Sequence, residues 1–195
     1  MTPRITGHSR LSQVAASVAK ALEDAGIRAV LSGGACASLY TRGTYQSSDL
    51  DFVLQSAVAP AALDAAMAAA GFRRTGNHYV HPHTAFFVEF PAGPLAIGND
   101  IRVQPVEYRV RRHVVRALSA TDSCRDRLAA FFFWNDRQSL RVAVSIAKRH
   151  PVDLDVIRDW SAAEGKTTAF EEFQKTLVRE TKTTRRRSMP DDGRR

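Results

Sequence analysis

The sequence predicts an α+β fold: a small mixed β-sheet flanked by helices, followed by a helical C-terminal unit. Three observations predict it. Short apolar runs alternate with helical patterns over roughly residues 9–110. Two acids, Asp49 and Asp51, sit inside one of those runs. After about residue 120 the apolar spacing becomes helical throughout. The expected organisation is therefore an α+β core over 1–115, a helical unit over 116–178 and a basic, unfolded tail over 179–195.

Along the chain, Leu11, Val14, Val18, Leu22 and Ala25 recur at helical spacing, and Gly26 is the stop. Ile27 to Ser32 reads as a buried strand broken by Gly33-Gly34, and Ala35 to Tyr40 as a short helix. Asp49 to Leu54 is a second strand. Pro60 suits a first helical turn, and Leu63, Ala66, Met67 and Ala70 carry that helix to Gly71. Phe72–Arg74, Tyr79–His81 and Ala85–Phe90 read as strands, and Pro91–Asp100 as a Gly- and Pro-rich loop. Ile101 to Val110 holds one more strand. Four helices follow, centred on Cys124/Leu128/Phe131/Phe132, Leu140/Ala143/Val144/Ala147, Leu154/Ile157/Trp160 and Phe170/Phe173/Leu177.

Composition sets limits. The chain has 195 residues, long enough to bury a core without a disulfide or structural metal, and it is 44% hydrophobic and 25% charged. Cys36 and Cys124 form no C-x-x-C pair and read as two buried thiols of a cytoplasmic protein. There is no secretory leader pattern, and no stretch approaches the ~20 apolar residues of a membrane span. The net charge is +8, favouring a polyanionic partner. Seven basic and three acidic residues from Arg179 to Arg195 place +4 of it in the tail, which has little to bury.

Three features of the first unit carry chemistry. Leu31-Ser32-Gly33-Gly34-Ala35 is a strand-to-helix turn whose glycines let backbone amides approach a phosphate, although a Gly-Gly turn is also simply a turn. In Ser48-Asp49-Leu50-Asp51-Phe52, strand alternation projects both carboxylates from one face. Crowded acids on a buried strand call for a compensating hard cation such as magnesium; on a half-exposed edge strand they are two solvated acids. Glu89 is the lone acid in the run Phe86 to Phe90. Beside the Asp49 strand it completes a three-carboxylate site; otherwise alternation merely turns it to solvent, and Asp100 becomes the next candidate for a third acid.

In this order the features resemble the polymerase-β-like nucleotidyltransferase superfamily: an apolar residue, Gly, Gly or Ser, then an acid-x-acid strand. The match is Ser32-Gly33-Gly34 with Asp49-Leu50-Asp51, across a slightly long gap around Arg42-Gly43-Thr44. Ser47-Ser48-Asp49-Leu50-Asp51 is similar to the S-x-D-x-D of the AbiEii and MenT type, the toxins of toxin–antitoxin pairs. In the helical unit, Arg125-Asp126-Arg127 and Asp136 fall where that type carries a basic residue and an acid. An Arg replaces the usual Lys, and Ser139 replaces a second acid. The likeness spans roughly residues 27–148.

The resemblance implies transfer of a nucleoside monophosphate from a nucleoside triphosphate to RNA or a tRNA end, a protein or a small molecule. It also implies two magnesium ions on Asp49, Asp51 and Glu89, and a cognate antitoxin as a possible partner. Gly33, Gly34 and Ser47 would seat the triphosphate, with Arg127 and Asp136 contacting nucleotide or acceptor. Two other readings stand beside it: a nucleotide-binding module without catalysis, and a basic RNA-binding protein. His78, His81 and His83 suggest zinc but read better as turn residues. Phe131 to Trp134 reads as helix packing rather than a base-stacking surface. Arg109, Arg111, Arg112 and Arg116 line either a phosphate path or a linker.

Overall fold

The structure, a computed structural model, describes residues 3–188. A seven-stranded mixed sheet forms the centre. Its elements are α1 (Leu11–Asp24), β1 (Ala29–Ser32), α2 (Gly33–Tyr40), β2 (Asp49–Leu54), α3 (Pro60–Ala69), β3 (Arg73–Thr75), β4 (His78–His81), β5 (Thr84–Glu89), β6 (Val106–Val110) and β7 (His113–Ala117). Helices α4 (Ala120–Trp134), α5 (Arg137–Arg149), α6 (Leu154–Ala163) and α7 (Thr167–Ser188) follow. The strand order is β3-β4-β5-β2-β1-β7-β6. The α+β expectation holds, and the helices and first five strands fall close to where apolar spacing puts them.

Each element has a local cause. The apolar positions of α1 bury Leu11, Val14, Val18 and Leu22, and Gly26 follows with φ +70°, a conformation without strain only for glycine. Pro60 opens α3 at its first turn. Ser119 caps α4 by accepting from the Asp122 amide, and Asp136 caps α5 by accepting from the Gln138 and Ser139 amides. Leu50 and Phe52 of β2 are fully buried, whereas Asp49 and Asp51 on the other face are half-buried.

Two expectations need correction. The arginine-rich stretch after residue 108, read as either a phosphate path or a linker, is a β-hairpin, which removes the linker alternative: β6 and β7 pair antiparallel about Arg111, whose φ is +54°. Strand β7 enters the sheet parallel to β1, with Leu31 beside Ala117, so the boundary expected at residue 115 falls inside a strand. The Leu118 amide donates to the Leu31 carbonyl, and Tyr40 and Cys36 of α2 both donate to the Leu118 carbonyl. His150, just past α5, bonds the Tyr40 carbonyl at 2.8 Å, so the helical region is tied directly to α2.

The second correction concerns the tail. Helix α7 continues through 179–188, the first part of the segment expected to be unfolded. Thr181 and Thr183 hydroxyls donate to the carbonyls of Leu177 and Arg179, and Lys148 of α5 pairs with Glu180 at 3.3 Å. Residues 189–195 of that expectation lie outside the described residues. Cys36 and Cys124 are free and buried, as their spacing suggests.

Candidate active site

The site forms where three chain segments meet at the start of β2. Strands β2 and β5 are parallel, with Asp51 beside Glu89 and Asp49 beside Phe87. In-register neighbours on adjacent strands share a face, so Glu89 projects with both aspartates while Val88 is buried behind. One carboxylate oxygen from each of Asp49, Asp51 and Glu89 can be chosen so that all three lie within 4.8 Å of one another. Glu89 thus shares the aspartate face, the outcome expected if its strand lies beside that of Asp49.

Strand β1 runs antiparallel to β2 and sets Ser32 beside Asp51. The chain turns into α2 at the next residue, and this places Gly33 directly over the Asp51 carboxylate. Gly33 has φ +62°, and a Cβ there would overlap Asp51 Oδ2. Both facts restrict the position to glycine. At Gly34 a Cβ would lie 2.5 Å from Ser47 Oγ and 2.9 Å from the Tyr45 hydroxyl. The Ser47 hydroxyl donates to Asp49 Oδ1, and the Ser47 amide donates to Ser38 Oγ at 3.1 Å. Ser38 Oγ in turn donates to the Gly34 carbonyl at 2.9 Å, so the Gly-Gly turn and the acidic strand are braced by one network.

Electrostatics mark Asp51 as the strained member. Burial, then the neighbouring charges of Asp49, Glu89 and Asp126, push its pKa up to about 6, against a smaller opposing pull from Arg127. Arg127 of α4 is largely buried and held by Asp126 at 2.6 and 3.0 Å. Its charge is felt at Asp51. The helical region therefore contributes an acid–base pair to the rim of the site.

The donor set fits a hard divalent cation. It is all carboxylate oxygen, it converges on one small volume, and burial together with its own repulsion raises Asp51, the repulsive part being what a cation relieves.

Other residues singled out in the sequence lie elsewhere or do other work. Asp100 is taken by arginines: it accepts from Arg125 at 2.6 Å and from the Arg102 side chain at 3.1 Å, and the Arg102 amide, then these side-chain bonds, hold its pKa down to about 2. It is not in the acidic group. Asp136 caps α5 and accepts from the Ser139 hydroxyl at 2.7 Å, so the serine standing in for a second acid serves the cap. His81 and His83 contact each other at the β4–β5 turn, while His78 pairs in register with Glu89 and packs on Phe87. Among the described residues no histidine joins a three-ligand group. The aromatic run divides: Phe131 and Phe132 are buried, Phe132 stacking on Trp160, whereas Phe133 and Trp134 are exposed.

Sequence reasoning missed Tyr45 and Asp126 as site residues. Tyr45 sits two residues before Ser47, on the loop that the long motif gap implies. Asp126 is the acid beside Arg127 in Arg125-Asp126-Arg127, read only as part of a motif. Both are joined to the site by chain folding that spacing alone does not show.

Comparison with known proteins adds one finding. No family model matches the chain, and no curated protein matches it either. Among solved structures it is similar to an antigenic nucleotidyltransferase-like protein from Paracoccidioides brasiliensis, with a TM-score of 0.53 over 72% of this chain and 77% of that one. The two proteins share a fold. Sequence identity is 16%, so the likeness concerns the fold and does not reach the narrower toxin type. Among the described residues no helix is long and apolar enough to cross a membrane.

Proposed function

We propose that the protein is a metal-dependent nucleotidyltransferase, moving a nucleoside monophosphate from a nucleoside triphosphate to an acceptor hydroxyl. The observation that carries this reading is the convergence of Asp49, Asp51 and Glu89 beneath a glycine turn that admits no side chain.

In this reading Asp49 and Asp51 hold magnesium, with Glu89 completing the ligand set. The bound cation supplies charge neutralisation for the phosphoryl group and acidifies the attacking hydroxyl. The residues of the chain do the rest. Gly33 and Gly34 present the amides of the α2 N-terminus to the triphosphate, and the absent Cβ atoms leave room for the Asp51 carboxylate and the Ser47 and Tyr45 hydroxyls that pack against the turn. Ser47 fixes the Asp49 carboxylate through its hydroxyl. The acceptor oxygen attacks the α-phosphorus in line, the bond to the β-phosphate oxygen breaks, pyrophosphate leaves, and the acceptor proton passes to the Glu89 carboxylate. Arg127, anchored by Asp126, offsets phosphate charge at the rim.

The toxin role is a narrower proposal. It is supported by the S-x-D-x-D residues, of which Ser47 does bond Asp49. Co-purification with a neighbouring gene product that suppresses transfer is its test. For the enzyme reading, the test is transfer of label from α-labelled triphosphate in magnesium, compared with Asp49→Asn and Asp51→Asn. Triphosphate that binds both in wild type and in variants but is never transferred identifies a binding module instead.

A further inference from the structure

The sheet ends in two edge strands, β3 and β6. An open edge invites pairing with another chain, and proteins blunt it with short strands, basic residues, proline, a bulge or a covering segment. Strand β3 is blunted: it has three residues, two of them the adjacent arginines Arg73 and Arg74. Strand β6 is not. It pairs with β7 in unbroken register from Val106 to Val110, and Pro105 stands outside it. Val106, Glu107 and Arg109 are exposed. Among the described residues no backbone hydrogen bond reaches β6 from any segment but β7.

The ladder decides which backbone groups face outward. Val110 opposite His113 closes the hairpin, and on the far side of β7 the Leu118 amide donates to Leu31 of β1. Successive residues of a strand aim their backbone groups to alternate sides. His113, Val115 and Ala117 therefore turn theirs to β6, where Val110, Tyr108 and Val106 meet them. Glu107 and Arg109 are left with amides and carbonyls directed outward. These same two residues carry opposite charges. Among the described residues neither belongs to an ion pair. Tyr108 stands between them, fixed by its hydroxyl, which donates to the Leu39 carbonyl.

We propose that β6 pairs antiparallel with β6 of a second copy of this chain, about a symmetry axis at Tyr108. The strand Val106-Glu107-Tyr108-Arg109-Val110 is self-complementary around its centre. In this register Glu107 of each copy faces Arg109 of the other, and Val106 faces Val110. Glu107 and Arg109 are also the residues with outward backbone groups, so each such pair exchanges both N–H···O bonds. Charge and hydrogen bonding thus demand the same alignment. A slip of one residue sets outward groups against groups already bonded to β7. A slip of two residues sets Glu107 against Glu107, or Arg109 against Arg109, which like-charge repulsion disfavours. The contact uses the same patch on both copies, so it closes as a dimer. Strand β6 lies three strands from β2, so the pairing leaves the acidic group untouched and does not depend on the enzyme reading.

The test is sedimentation equilibrium of the full chain across a concentration series, with melting temperature as the check on folding. Wild type should be a dimer in equilibrium with monomer. Arg109 faces Val114 within its own hairpin, so Arg109→Glu spares the fold. It makes both charge pairs of the dimer repulsive and should weaken association by about tenfold or more. Glu107→Arg should weaken it likewise. Arg109→Pro removes an outward amide without touching the bonds to β7, and should leave a folded monomer. An equimolar mixture of Arg109→Glu and Glu107→Arg restores opposite charges at both pairs, and should form a heterodimer that neither variant forms with itself. Wild type that stays monomeric at every concentration overturns the proposal. A dimer indifferent to Arg109→Glu and Arg109→Pro overturns it too, because the interface then lies elsewhere. Single variants that dissociate and do not re-associate on mixing overturn the register centred on Tyr108.

Discussion

Asp51→Asn should stabilise the metal-free protein at neutral pH. The carboxyl titrates near about 6 in the fold against 3.8 for an ordinary aspartate, because it is buried beside other acids. The folded state therefore prefers the protonated form more than the unfolded chain does. Stability from this group is complete below pH 3.8, falls as pH rises toward 6, and is fully lost above. Two pKa steps correspond to a ceiling of about 3 kcal/mol, and partial solvent contact reduces this to about 1–2 kcal/mol. For a chain of this size that is a rise of about 2–8 °C in melting temperature. The assay is thermal denaturation of wild type and Asp51→Asn in chelator from pH 4 to pH 8. The difference between the two should grow between pH 4 and 6 and then level. Magnesium should close it by raising wild type alone. An Asp51→Asn protein that melts below wild type at pH 7 in chelator, or a pH-independent difference, refutes the reasoning.

Further outcomes follow from the same geometry. Glu89→Gln should lower divalent-cation affinity by about tenfold or more while leaving the fold intact, measured by calorimetric titration with magnesium or manganese. Gly33→Ala should abolish transfer and cost about 1–2 kcal/mol from the positive φ alone, read as lost turnover with a melting temperature several degrees lower. Asp100→Asn should cost about 2 kcal/mol, because buried Arg125 keeps only Asp122 as a charged partner, yet leave cation affinity unchanged. Because the Asp100 pKa is depressed to about 2, its stabilisation is present above pH 3.8 and is lost as pH falls toward 2. Cation binding that drops in Asp100→Asn and persists in Glu89→Gln would reverse the assignment of the third acid.

The acidic site was legible because strands announce their faces. Asp49 and Asp51 alternate with buried Leu50 and Phe52, so period-two spacing put these two acids on one side, and Glu89 alternates in the same way with buried Val88. What spacing could not supply was strand adjacency, which depends on β5 pairing parallel with β2. Strand β7 was hidden by charge: His113 and Arg116 mask the buried positions Val115 and Ala117, so the stretch reads as a basic phosphate path or linker rather than as a hairpin. The extension of α7 was hidden for a related reason. Residues past Val178 offer little apolar surface, and the helix there relies on threonine back-bonding and an ion pair to Lys148, neither of which leaves a hydrophobic period. Tyr45 and Asp126 gave no local signal because their roles come from long-range packing of a loop and of α4 against the sheet.

One measurement bears most directly on the central claim. Purified protein is incubated with each α-labelled nucleoside triphosphate, magnesium and total cell RNA or protein, and the label is followed. Wild type should attach label to an acceptor and release pyrophosphate, and Asp51→Asn, folded at least as stably, should attach none. Transfer that continues at near wild-type rate in Asp51→Asn, or in wild type with all divalent cations chelated, would contradict the assignment of the acidic group as the catalytic centre.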